Sequence, residues 1–170
     1  MFDKLLDFLK SIWKDIIPFF VVKEHQMAII FRFGKYKGTY KPGLHWKIPF
    51  AEVPQLAYVK TRTETLSPQT LTTMDGKQIV IRAIVRFSID NVRKYIIDVW
   101  SADNALSDTV HGFISDFVQN NTWETIMSKL LIDITPKTIE AGARWGMEVE
   151  KVTFSDFATI RTYRLMNDKP

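Results

Sequence analysis

Cysteine is absent from all 170 residues. That absence excludes a disulfide framework, a thiolate nucleophile and any zinc site with a cysteine ligand. Histidine is scarce: His25, His45 and His111 stand far apart, and none belongs to a ligand-spaced motif such as HExxH. Each reads as a structural or surface histidine, and no metal site or cofactor is expected. The sequence contains no GxSxG, no P-loop pattern and no GxGxxG, so serine-hydrolase, nucleotide-hydrolase and dinucleotide readings have no footing. Ser155-Asp156 reads as part of a strand end, because nothing supplies the base a triad needs. The chain is not expected to be an enzyme.

A long uninterrupted apolar run is also missing at the N-terminus. In "MFDKLLDFLKSIWKDIIPFFVV" a charge falls roughly every third position, whereas a membrane-spanning helix needs about 20 predominantly apolar residues. The segment equally lacks the basic start, apolar middle and small-residue cleavage site of a secretory signal. What it has is a clean division. At 100° per residue, Phe2, Leu5, Leu6, Phe8, Leu9, Ile12, Trp13, Ile16 and Ile17 share one half of a helix, and the charged residues share the other. Phe19 and Phe20 extend the apolar surface past Pro18. A helix lying in the membrane interface and a helix packed on its own domain or on a partner protein both fit this pattern. Nine such side chains half-inserted into lipid contribute roughly 5–10 kcal/mol gross. Residues 1–22 are therefore expected to form an amphipathic membrane-interface helix, residues 23–158 one domain, and residues 159–170 a short tail.

With 46% hydrophobic and 25% charged residues, the body has the composition of an ordinary globular domain. The net charge of +4 is unevenly spread: residues 23–60 carry seven basic and two acidic side chains, residues 101–158 four basic and nine acidic. Strong nucleic-acid binders usually carry a larger basic excess. Lys35, Lys37, Lys41 and Lys47, interleaved with Tyr36, Tyr40 and Trp46, suit phosphate contact and base stacking in principle. Directly after a membrane-seeking helix, the same groups suit anionic lipid headgroups. Lys35, Lys37, Lys41, Trp46 and Lys47 are accordingly the expected headgroup or membrane-proximal contacts. Single-stranded nucleic acid is the least supported partner.

Beyond the first segment the period changes from helical to alternating. "MAIIFRFGK" reads as a strand ending at Gly34, and Pro42-Gly43 as a type II turn before a short extended piece. Asp75-Gly76 between "TLTTM" and "KQIVIRAIVRFSI" predicts a hairpin closed by a type I′ turn. In its second strand Ile79, Ile81, Ala83, Val85, Phe87 and Ile89 line one face. "NVRKYIIDVW", "SADNALSDTVHGFISDFVQNN" and "TWETIMSKLL" read as helical. A last helix is expected to start near Thr135-Pro136 and stop at Gly146, followed by an extended piece over 147–158. Helix, antiparallel strands, helices and a final strand imply an α+β domain: a bent antiparallel β-sheet with packed helices.

The runs "FRFGKY", "KPGLHWKIPF", "LTTMDGKQIVIRAIVRFSI", "NVRKYI" and "GMEVEKVTFSDF" resemble, in order and spacing, the stomatin, prohibitin, flotillin and HflK/HflC group that shares the SPFH or band 7 domain. The resemblance implies a scaffold with no catalytic centre, anchored to a membrane at its N-terminus. It also implies side-by-side assembly that organises lipid patches and regulates membrane proteases or channels. The expected partners are membrane lipids, further copies of the chain or a longer family member, and a membrane protease or other membrane protein. Peripheral attachment to the cytoplasmic face of the inner or plasma membrane is the expected location. Two departures qualify this: the first helix is charged every few residues, which implies shallow attachment, and the family's long assembly helix has no counterpart in "TIRTYRLMNDKP". A soluble regulatory module whose amphipathic helix docks on a partner protein is the alternative.

Overall fold

The computed structural model describes residues 17–160. The expected N-terminal helix lies outside the described residues up to Ile16. Its continuation does not: Phe19–Val22 is a strand, β1, paired antiparallel with β4 (Gly43–Trp46). Pro18 lacks an amide hydrogen and disfavours helical geometry at Ile17, while Phe-Phe-Val-Val has the β-branched and aromatic character of a strand.

Behind this ribbon lies a three-stranded sheet in the order β3 (Lys35–Tyr40), β2 (Gln26–Arg32), β5 (Glu52–Tyr58). Ala28, Ile29 and Ile30 are fully buried, so β2 is covered on both faces. Ile29 meets Ala57, Ile89 and Val92 in a small core. On the ribbon, Phe20 and His45 turn inward against Tyr40, with ring centroids 6.3 and 5.2 Å away.

The third sheet is built on β8 (Gln78–Ile89), with β6 (Arg62–Thr65) and β7 (Gln69–Thr72) sharing one edge and β9 (Met147–Ile160) running along the whole of the other. The expected face of β8 is the core face: Ile79, Ile81, Ala83, Val85, Phe87 and Ile89 are all at most 5% exposed. Two helices cover it. Helix α1 (Ala102–Gln119) buries Ala102, Leu106, Val110, Ile114 and Val118, each four residues from the last, and α2 (Trp123–Arg144) buries Ile126, Leu130, Ile134, Thr138 and Ala141. Where α2 crosses β9 only glycine fits, since a Cβ on Gly142 would lie 2.6 Å from a Val149 methyl. The α+β class expected from the sequence is the class observed, with the strands distributed over three antiparallel sheets.

Several local expectations are corrected. The 75–76 turn is not type I′: Gly76 has φ +78° but Asp75 does not adopt positive φ. Gly76 N donates to Thr73 O and Thr73 N to Lys77 O, which makes a three-residue connection of a type I turn followed by a left-handed glycine. The reason is that the Asp75 carboxylate is engaged, accepting from the Thr73 hydroxyl at 2.6 Å and from the Trp123 amide at 3.2 Å, so that it caps α2. The type I′ signature, positive φ at both central residues, falls instead at Phe33-Gly34, with φ +49° and +76°. Gly43 has φ +140°, outside the type II region, because it already belongs to β4 opposite Val22. No helix starts at Pro136. Helix α2 runs through it, with the proline on the exposed side while Ile134 and Thr138 are fully buried on either side. Lastly, Asn91–Trp100 contains a π-helical turn over Lys94–Asp98 rather than an ordinary helix.

That turn places Tyr95 against both cores. Its hydroxyl donates to Asp103 Oδ2 at 2.9 Å and accepts from Arg62 Nη2 at 2.7 Å, while the Arg62 guanidinium lies 5.0 Å above the Phe87 ring. Burial pushes the Tyr95 phenol above its ordinary value, so it stays neutral at physiological pH.

Candidate membrane-facing surface

Alternation along β1 and β4 sends one set of side chains inward and the other out. The outward set is wholly apolar: Phe19 faces Trp46 and Val21 faces Leu44 across the ladder. Their exposures are 47, 71, 59 and 63% respectively. The Phe19 and Trp46 rings meet edge to face at 6.3 Å. Past the end of the strand Ile48 and Phe50 are exposed as well. Phe33, at the β2–β3 turn, joins them through its amide, which donates to Ala51 O at 2.9 Å. Phe33 and Phe50 are 80 and 79% exposed, and both hold positive φ, at +49° and +63°. Left-handed backbone is uncommon for large side chains, and strain of this kind concentrates at functional sites.

One carboxylate organises the tip. The Glu52 side chain is 1% exposed. Its Oε1 accepts from Lys37 Nζ at 2.6 Å and from Arg32 Nε at 2.8 Å, and its Oε2 accepts from Ile48 N at 2.9 Å. These donors, the Lys37 ammonium first and the Ile48 amide next, outweigh burial and hold Glu52 at about 2, against an ordinary 4.5. The same hydrogen bond raises Lys37. Because the Ile48 amide is tied to Glu52, the carboxylate shapes the 47–51 loop that carries Ile48 and Phe50.

The structure thus brings Phe19 and Trp46 together on the outer face and places Phe20 on the inner one. Lys35 and Lys41 are exposed, Lys47 is half-buried, and Lys37 is paired with Glu52. Ile17 is half-buried ahead of β1, and the remaining expected contacts, Phe2 to Ile16, lie outside the described residues. Sequence reading missed Phe33, Leu44, Ile48 and Phe50. The signal was present: Leu44, Trp46, Ile48 and Phe50 alternate like a strand exposed on its apolar side. Of the histidines, His45 Nε2 bonds Lys41 O at 2.7 Å, His111 Nε2 bonds Ser67 O at 3.2 Å, and His25 stacks on Tyr58. Among the described residues no group of three His, Asp or Glu side chains is placed to hold a metal, and no helix is long and apolar enough to cross a membrane. A separate apolar groove of about 360 Å³ lies between α2 and β9, lined by residues including Met127, Leu131, Phe154 and Phe157.

The family model described as SPFH domain / Band 7 family matches residues 20–164, from β1 through β9. The chain belongs to the SPFH/band 7 family. An uncharacterized protein of Methanocaldococcus jannaschii is 31% identical over 139 residues, covering 78% of this chain and 68% of that protein. Stomatin-4 of Caenorhabditis elegans is 26% identical over 141 residues, covering 80% of this chain. A protein of Escherichia coli strain K12 named Modulator of FtsH protease HflK is 24% identical over 111 residues, covering 65% of this chain. This SPFH chain spans 50% of the length of the stomatin and 26% of that of HflK. The apolar ribbon and its tip belong to the first part of the SPFH domain, and the main core to the second.

Proposed function

We propose that this SPFH protein is a non-enzymatic scaffold held peripherally on a membrane. It binds through the apolar face of residues 1–17 together with the outward row of the β1–β4 ribbon. There it organises or regulates membrane proteins, as an oligomer of itself or with a longer family member. The single observation carrying the reading is that outward row: Phe19, Val21, Leu44 and Trp46 form a contiguous apolar surface immediately after the segment whose charges and apolar residues divide by face. Scattered exposed apolar residues are ordinary, but a continuous patch marks a protein or membrane contact. Each such side chain fully removed from water contributes ~1.5–3 kcal/mol gross, so the four outward side chains of the ribbon favour attachment. A protease as client is supported by the name of the HflK relative, a modulator of FtsH protease.

The test is co-sedimentation of the full chain with phospholipid vesicles, beside a version lacking residues 1–18 and a Leu44→Ser, Trp46→Ser variant. The full chain is expected to sediment with vesicles and each alteration to weaken it. A full chain that stays in the supernatant overturns the reading and moves the helix to a protein interface.

A further inference from the structure

Between His25 and Ala51 the sequence contains Arg32, Lys35, Lys37, Lys41 and Lys47 and no acidic residue. Glu52 is the carboxylate that meets them, and it neutralises one charge while holding two cations, Arg32 at 2.7 Å and Lys37 at 2.6 Å. Both keep solvent access, with side chains 43 and 33% exposed. Lys35 follows directly on the same turn and is exposed. Arg32 and Lys35 flank the Phe33-Gly34 turn, Arg32 and Lys37 meet Glu52 two residues after Phe50, and the Phe33 amide bonds Ala51 O, so the cations share a turn pair with two aromatic residues that the backbone holds in left-handed conformations. A type I′ turn would be better served by asparagine at position 33 and the 47–51 loop by a smaller residue at 50, so turn chemistry does not account for the aromatics.

We infer that this tip is a two-pronged clamp for an anionic lipid headgroup, in which Phe33 and Phe50 enter the interfacial layer on either side and Arg32, Lys35 and Lys37 donate to the phosphate between them. Glu52 is its positioning residue: it preloads Arg32 and Lys37 in place and, through the Ile48 amide, sets the loop that carries Phe50. Aromatic rings favour the headgroup level, and cations there attract anionic lipid. The inference rests on the membrane reading above and adds to it a preference for lipid charge.

The experiment compares binding of the full chain to vesicles of phosphatidylcholine alone and of equal parts phosphatidylcholine and phosphatidylserine. The wild type is expected to bind the anionic vesicles more tightly, with Lys35→Gln losing about fivefold on those vesicles only. Phe33→Asn is the sharper variant, because asparagine tolerates the left-handed turn. It is expected to keep or raise the melting temperature while weakening vesicle binding, a combination that a purely structural role for Phe33 does not produce. Equal binding to both vesicle types overturns the clamp and leaves the membrane reading intact, whereas binding to neither overturns both. Release by inorganic phosphate beyond that caused by chloride at matched ionic strength assigns the site to free phosphate and overturns the lipid assignment. Phe33→Asn binding like the wild type removes the prong from the proposal and overturns it as stated.

Discussion

The two halves of the domain differ in the size of the apolar core each one closes. In the β6–β9 and helical half, Ile79, Ile81, Val85, Phe87, Val110, Ile114 and Ile134 are at most 1% exposed, and the helices close over the sheet. In the β1–β5 half the buried cluster is Ile29 and Ala57 with Ile89 and Val92, while Phe19, Phe33, Leu44, Trp46 and Phe50 point out. Both halves expose some apolar side chains, Trp100, Met127 and Ile132 among them in the second, but only the second has a large core; the first buries Val22, Ala28, Ile29 and Ile30 and presents a row of apolar side chains beside them. The presenting half adds polar chemistry to its small core, through Glu52 and its three donors, and a similarly engaged carboxylate, Asp75, pins the turn of the other half to α2.

The comparison can be broken most forcefully in the large core. Phe87→Ala removes a fully buried ring and is expected to cost ~3–5 kcal/mol, read as a fall in the urea midpoint; a loss under about 1 kcal/mol would mean the core collapses around the gap. Next comes Gly76→Val, which asks a β-branched residue to hold φ +78° and should cost ~1–3 kcal/mol in thermal unfolding. Gly34→Val imposes the same strain at φ +76°, and its effect should appear as faster amide exchange in β2 and β3 with α1 and α2 unchanged. Acid acts on both halves. Glu52 and Asp75 are each held at about 2, below ordinary values of 4.5 and 3.8, the first chiefly by Lys37 and the second chiefly by the Thr73 hydroxyl. A depressed folded value means stabilisation that is complete above the ordinary value and is lost as pH falls toward about 2. Glu52→Gln should flatten that pH dependence at the Ile48 amide and Asp75→Asn at the Trp123 amide, each leaving the other site as it was. The smallest effect on stability belongs to Trp46→Ser with Phe50→Ser, within about 0.5 kcal/mol of the wild type by denaturation, accompanied by a clear loss of vesicle binding.

What could be read ahead of the structure follows the same division. β8 was legible because burial of one face imposes strict alternation; β9 was legible as an extended piece but not as the partner of β8, and α1 and the two ends of α2 were legible from period and from the stop at Gly146, but α2 not as one continuous helix. Pro136 misled because a proline on an exposed helix side costs a hydrogen bond without stopping a helix whose buried residues on both sides stay packed. The tip was illegible for a different reason. Its shape depends on a glutamate meeting an arginine and a lysine 20 and 15 residues away, and such contacts leave no local period. Asp75-Gly76 carried the strongest turn signal, yet the aspartate's contact with α2, 48 residues on, decided the turn type.

The four residues of the smaller core couple the two halves. Ile29 and Ala57 come from the presenting half, but Ile89 is the last residue of β8 and Val92 leads into the turn whose Tyr95 is clasped by Arg62 and Asp103. The smaller core therefore borrows half of its members from the strand and turn that frame the larger one. A change that loosens the end of β8 is therefore felt in the first half as well, through the two side chains that Ile29 and Ala57 pack against.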